Sequence, residues 1–214
     1  MESRRRIAIL ASGSGTTAEA LIHATQSGVL DADVVLVVTN NADAAVLKKI
    51  ERFNEQELAI KTLVINGSTH PGEAGHGEQT PAESQAIYNA VKEADVDLVL
   101  LLGYMKKVVA PLLNLTILNT HPGLLPITKG LHGEDVQRFV LENEHEFTGQ
   151  TLHEVIEEYD SGRVVAEHKM PVMSWDTVDT LNSAVQLMEK AYIGVEVNEY
   201  LKNLPRPDIN ATLF

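Results

Sequence analysis

The chain contains no cysteine, which excludes disulfides, thiolate metal sites and thiol nucleophiles and makes a reducing compartment, by default the cytoplasm, the expected location. No run of about 18 apolar residues occurs, so no membrane-spanning helix is expected and the chain reads as soluble. The start, "MESRRRIAILASGSG", has a basic cluster before an apolar stretch, but Ile7 to Ala11 is too short for a leader and reads as a charged edge before a strand. Basic residues are outnumbered, 17 Lys and Arg against 30 Asp and Glu, for a net charge of -13. That balance repels nucleic-acid phosphate, and no dense basic patch offsets it, whereas backbone N–H groups could still hold a small anion. The expected partners are therefore small molecules, with no nucleic acid and no membrane; oligomeric state is not legible. His132 and His153 are not part of any His-x-x-x-His pair, so no metal is expected. Neither Ser12 nor Ser14 has the flanking glycines of a nucleophile elbow.

What is present is a chain of 214 residues, 44% hydrophobic, long enough to bury a substantial core unaided. β-rich runs at 6–12, 32–40, 60–66, 96–103 and 115–119 alternate with helical patterns at 16–26, 42–54 and 81–94, the last with Pro81 in its first turn. The near-continuous apolar runs "VVLVV" and "LVLLL" predict strands buried on both faces. Residues 66–79, "NGSTHPGEAGHGEQ", read as a long mobile loop. Beyond 133 the pattern changes to a helix at 134–143, strands at 148–156 and 163–172, and a closing helix from 177 to about 201. Val178, Leu181, Val185, Met188, Tyr192 and Val195 should form that helix's apolar stripe. The fold class expected is α/β, a doubly wound, mostly parallel open sheet with a C-terminal antiparallel extension. With no repeat and no linker, residues 1–214 are expected to form one domain.

Three places could carry chemistry. "ASGSGTT" follows the first strand and opens the first helix, so the N–H groups of Gly15, Thr16 and Thr17 could cradle a phosphate; a plain tight turn needing glycine is the other reading. Gly13, Gly15 and Ala18 also fit a dinucleotide fingerprint, but that needs an acidic residue roughly 20 positions on, and Asn40 and Asn41 end the second strand instead. In "ILNTHPGLLP", Asn119 and His121 lie two apart near the carboxyl end of a predicted strand and so face one side, an amide and an imidazole that could stabilise an oxyanion and move a proton; a strand end followed by a turn is the bland alternative. Asp160, in "EEYDSG", is either a hairpin residue or a carboxylate brought to His121 by the fold.

The ordered series "IAILASGSGTT", "VVTNNADAAVL", "DLVLLLGYM", "LNTHPGLLP", "GLH" and "TGQTLHEVIEEYDSG" resembles the folate-dependent formyltransferases over nearly the whole chain. The resemblance implies formyl transfer from 10-formyltetrahydrofolate to the amine of glycinamide ribonucleotide in purine biosynthesis, with no metal. It implies Asn119, His121 and Asp160 as the catalytic trio. Gly15, Thr16, Thr17, Gln186 and Glu189 would hold the nucleotide, and Met105, Lys106, Val108, Leu118 and Val155 the folate, with residues 155–160 as a lid-like loop. Residues 1–103 would form the nucleotide half and 104–214 the folate and catalytic half. Within the family, a 10-formyltetrahydrofolate hydrolase or a sugar-nucleotide N-formyltransferase would use the same trio; outside it, a non-catalytic folate or nucleotide binder is the alternative, and a dehydrogenase is disfavoured by Asn40 and Asn41.

The chain departs from the family pattern in several places. Residues 67–86 carry no arginine for the phosphate, only His70 and His76, which leaves Lys129 or Arg163 as substitute cations. Thr16 and Thr17 stand where Ser and Asn are usual, Gly162-Arg163 replaces Gly-Pro, and "PITKGLH" lacks the usual Tyr-Pro before Gly-Leu-His.

Overall fold

Alternating burial decides the layers. The computed structural model describes residues 4–205, so the outermost residues of the single-domain expectation lie outside the described residues. In β1 (Arg5–Leu10) Ile7 and Ile9 face one layer while Ala8 and Leu10 face the other. Burying each of the larger side chains contributes roughly 1.5–3 kcal/mol. β2 (Ala32–Thr39), β3 (Lys61–Val64), β4 (Leu98–Leu101) and β5 (Ile117–His121) join β1 in parallel. β6 (Phe147–Glu154) and β7 (Val164–Pro171) extend the sheet antiparallel, giving seven strands in the order β3-β2-β1-β4-β5-β6-β7. The doubly wound sheet with its antiparallel extension is as the residue pattern implied.

Helices α1 (Thr16–Gln26), α2 (Ala45–Asn54) and α5 (Val178–Asn203) cover one face, burying Leu21, Ile50 and Ile193 against Ile7 and Leu118. Helix α3 (Pro81–Glu93) covers the other through Ile87 and Val91. It starts where expected: Thr80 and Glu83 form a reciprocal capping box, and Pro81 occupies the first turn. Helix α4 (Glu134–Glu142) packs beside α5 and β6.

Several bounds differ from the sequence expectation. α2 begins at Ala45 because the Asn41 side chain accepts the Asp43 N–H at 3.0 Å and diverts the chain into a turn. β5 runs through His121 because β6 pairs with it over that length. The Gly-rich loop is pinned at its end: Glu78 bridges to Lys107, and Gln79 is buried with its amide donating to the Tyr104 hydroxyl at 3.0 Å.

The apolar stripe expected on α5 holds only in its first half. Leu181 and Val185 are buried, but Tyr192 and Val195 are exposed. The buried line passes instead through Ile193, Gly194, Glu196, Val197 and Leu201. Residues four apart advance about 40° around a helix, so a long helix crossing several neighbours buries a winding line rather than a fixed stripe. Among the described residues no helix is long and apolar enough to cross a membrane.

Candidate active site

Strand order reverses between β1 and β4, and their following loops part at the carboxyl edge of the sheet, where open α/β sheets bind ligands. Ser12 ties this edge together. Its hydroxyl donates to Asn40 Oδ1 at 2.5 Å and accepts the Met105 N–H at 2.8 Å. Gly15 then caps α1 in the left-handed region (φ +66°), where a Cβ would lie 2.5 Å from Val46 Cγ2, so only glycine fits. No side chain caps α1, which leaves the N–H groups of its first turn aimed at the edge.

On the α3 face, antiparallel pairing sets His153 of β6 directly opposite Asn119 of β5. Asn119 Nδ2 and His153 Nε2 are 3.0 Å apart. His153 Nδ1 lies 2.9 Å from the Glu154 carbonyl, which can only accept, so Nδ1 carries the proton and Nε2 accepts from Asn119. The chain then makes a loop and returns Asp160, at φ +49°, between two imidazoles. Asp160 Oδ1 is 3.6 Å from His153 Nε2 and Oδ2 is 3.7 Å from His121 Nδ1. The Gly130 N–H donates to Asp160 Oδ2 at 3.0 Å. His121 Nε2 meets the buried Thr128 hydroxyl at 2.9 Å. Asn119, His121 and Asp160 are thus brought together, and Asp160 is not a plain hairpin turn.

Burial sets the electrostatics. It lowers His121 below the ordinary imidazole range, with Asp160 pulling upward and His153 adding to the fall. It lowers His153 too, against the opposing Glu154 carbonyl and Asp160. Both rings are neutral at pH 7 beside a carboxylate, the state of a base poised to take a proton.

A cleft with about 400 Å³ of space between atoms, its open mouth included, ends at Asn119, His153 and Asp160. Its walls include Tyr104, Lys106, Val108 and Val155. Lys106 is held by both oxygens of the fully buried Glu83, at 2.6 and 2.8 Å. Burial pushes the Tyr104 hydroxyl up to about 12, so it stays neutral. His121 lies behind Asp160 rather than on the cleft wall.

Two residues expected at the folate do not line the cleft. Leu118 is buried in the α1/α5 layer, because strand alternation turns it away from Asn119. Met105 is 60% exposed outside the cleft, its backbone held by Ser12.

The other face joins the helix N-terminus to the same edge. Glu189 of α5 accepts from the Thr120 hydroxyl at 2.6 Å. Burial raises its carboxyl above the usual range against the nearby Thr120 and Thr17 hydroxyls. Gln186, one turn before Glu189 on the same side of the helix, is exposed. Neither substitute cation is free: Lys129 pairs with Glu158 at 2.6 Å and Arg163 with Glu154 at 2.5 Å.

Sequence reasoning missed His153, weighed only as a metal ligand, and Thr128 and Gly130, which it gave no role. The alternation in "TLHEV" puts His153 on one face of β6, but only the β5–β6 register shows that Asn119 is opposite. His132 is exposed, and among the described residues no group of three or more His, Asp or Glu side chains could hold a metal ion.

The family model for formyl transferases matches residues 5–196. The trifunctional purine biosynthetic protein adenosine-3 of Gallus gallus is 36% identical over 187 residues, covering 86% of this chain but 17% of that protein. The chain therefore spans about a sixth of the length of such multifunctional relatives. Phosphoribosylglycinamide formyltransferase of Escherichia coli K12 is 31% identical over 188 residues, covering 86% of this chain and 82% of that one. The crystal structure of glycinamide ribonucleotide transformylase 1 from Symbiobacterium toebii superposes with a TM-score of 0.82 at 29% identity, over 94% of this chain and 89% of that one. On this match and on the sheet edge that carries the Asn119, His121 and Asp160 cluster, the chain belongs to the formyl transferase family.

Proposed function

We propose that the chain transfers the formyl group of 10-formyltetrahydrofolate to the primary amine of glycinamide ribonucleotide, in purine biosynthesis. The observation that carries this reading is the convergence of Asn119, His153, Asp160 and His121 at the inner end of the cleft, across the sheet edge from the uncapped start of α1. The names of the relatives supply the acceptor.

In this reaction the amine nitrogen attacks the formyl carbon, and the carbonyl π electrons move to oxygen. The second Asn119 Nδ2–H, not used by His153, stabilises that oxyanion. The proton lost by the amine passes to Asp160 and the His121 ring behind it. Collapse restores the carbonyl, breaks the bond to N10 of the folate and protonates N10. No covalent enzyme intermediate forms. The cleft walls of Tyr104, Val108 and Val155 suit a flat heteroaromatic ring, and the Lys106 ammonium suits its polar edge.

The acceptor's phosphate sits on the N–H groups of Gly15, Thr16 and Thr17, with Glu189 beside it on the ribose side. Lys190 supplies the cation missing from residues 67–86. Gly194 of α5 packs on Ala24 of α1, so Lys190, one turn earlier, falls level with Ala20, one turn from Thr16 and Thr17. Among the described residues Lys190 forms no salt bridge.

The test is a spectrophotometric assay of deformylated folate release from 10-formyltetrahydrofolate or a dideaza analogue, with and without glycinamide ribonucleotide. Release that requires the ribonucleotide is expected. Release without it would make the chain a hydrolase, and none in either case would leave a binder or a different acceptor.

A further inference from the structure

Asp160 has a known kind of partner in His121; what holds the far side of that ring is peculiar to this chain. His121 Nε2 faces Thr128 Oγ1 at 2.9 Å, and both residues are almost fully buried. The Thr128 hydroxyl has a single proton, and the Leu124 carbonyl, 3.2 Å away, can take it. With that proton donated to the Leu124 carbonyl, the hydroxyl oxygen is the acceptor facing the ring, which puts the neutral ring's proton on Nε2. The lone pair is then on Nδ1, 3.7 Å from Asp160 Oδ2.

Left to itself, a neutral imidazole beside a carboxylate points N–H toward it and has no lone pair to offer there. The turn from Leu124 to Gly130 opposes that preference at both ends, because Thr128 holds His121 while the Gly130 N–H holds Asp160 at 3.0 Å. The close fit is visible at Gly123, where a Cβ would overlap the Thr128 side chain. The segment also coincides with the "ITKG" departure from the family's Tyr-Pro pattern.

We propose that Thr128 is a positioning residue that fixes His121 as the Nε2–H tautomer, so that the proton-accepting nitrogen faces Asp160, which lines the cleft. Its role in catalysis rests on the formyl-transfer reading, whereas its control of the tautomer does not. The titratable groups facing His121 are Asp160 from the loop after β6 and His153 from β6.

The experiment is long-range 1H–15N correlation on the full chain labelled with 15N-histidine, at a pH where the rings are neutral, with His121→Gln to assign the signal. Wild type is expected to show His121 protonated at Nε2, T128V to shift the ring toward Nδ1–H, and T128S to restore the wild-type pattern. In the same proteins kcat should fall roughly 10-fold in T128V and recover in T128S, with both KM values within about twofold, as suits loss of one buried hydrogen bond. An Nδ1–H ring in wild type overturns the proposal whatever the variants do, and so does an unchanged tautomer in folded T128V. If no formyl transfer is found in wild type, the functional reading fails while the spectra still decide the tautomer.

Discussion

Replacing Asp160 by Asn removes one charge and little else. Asn tolerates the left-handed backbone at φ +49° and keeps an oxygen for the Gly130 N–H at 3.0 Å. What is lost is the carboxylate 3.7 Å from His121 Nδ1. Unit charges at that separation attract by about 4 kcal/mol at an effective dielectric of about 20. That interaction exists only once His121 has taken the proton, so it is felt in the transition state more than in substrate binding. At about 1.4 kcal/mol per decade the ceiling is on the order of 1,000-fold in kcat, and a loss of roughly 100- to 1,000-fold with little change in either KM is expected. Steady-state release of deformylated folate measures it, with urea unfolding to show that the variant remains folded. The rising limb of the pH profile should also move to lower pH, because Asp160 is what draws the buried ring upward. A folded D160N enzyme with kcat within about 10-fold of wild type would refute the role given to Asp160.

Other outcomes follow from neighbouring groups. Gly15→Ala puts a Cβ 2.5 Å from Val46 Cγ2 at φ +66° and should cost roughly 1–3 kcal/mol of stability and raise the acceptor KM, seen in urea unfolding and saturation kinetics. Lys190→Met keeps the stem and removes the charge; the acceptor KM should rise about 10-fold while the folate KM stays, and an unchanged acceptor KM assigns the phosphate elsewhere. His121 and His153 are held below 6.5 by burial, so between 6.5 and their folded values the unfolded chain binds more protons and stability rises with pH. Lowering pH from neutral to about 5 should therefore reduce the unfolding free energy by up to about 1.4 kcal/mol per unit for each ring, and His153→Gln should flatten the slope. Glu189 and Glu196, held above 4.5 by burial, act the other way: the folded chain keeps their protons longer, and that stability is lost as pH rises through their folded values.

The sequence by itself determined the doubly wound sheet, because apolar strands alternating with amphipathic helices have few ways to bury both. It also determined the start of α3, where the capping box and Pro81 are local, and the glycine turn at the start of α1. The series of motifs was enough to name the family. Asn119 and His121 were legible as a pair because period two puts them on one face of a strand. The tertiary structure decided what adjacency in sequence could not. His153 stands opposite Asn119 only through antiparallel register, and Asp160 reaches His121 only through a loop that returns over the edge of β6. Leu118, one residue from Asn119, lies on the opposite face for the same reason of alternation. On α5 Glu196 is buried where periodicity favoured Tyr192 and Val195, since a long helix follows its changing neighbours. Local signals specify elements, whereas the contacts that tune His121 join residues that only the folded chain brings within 4 Å.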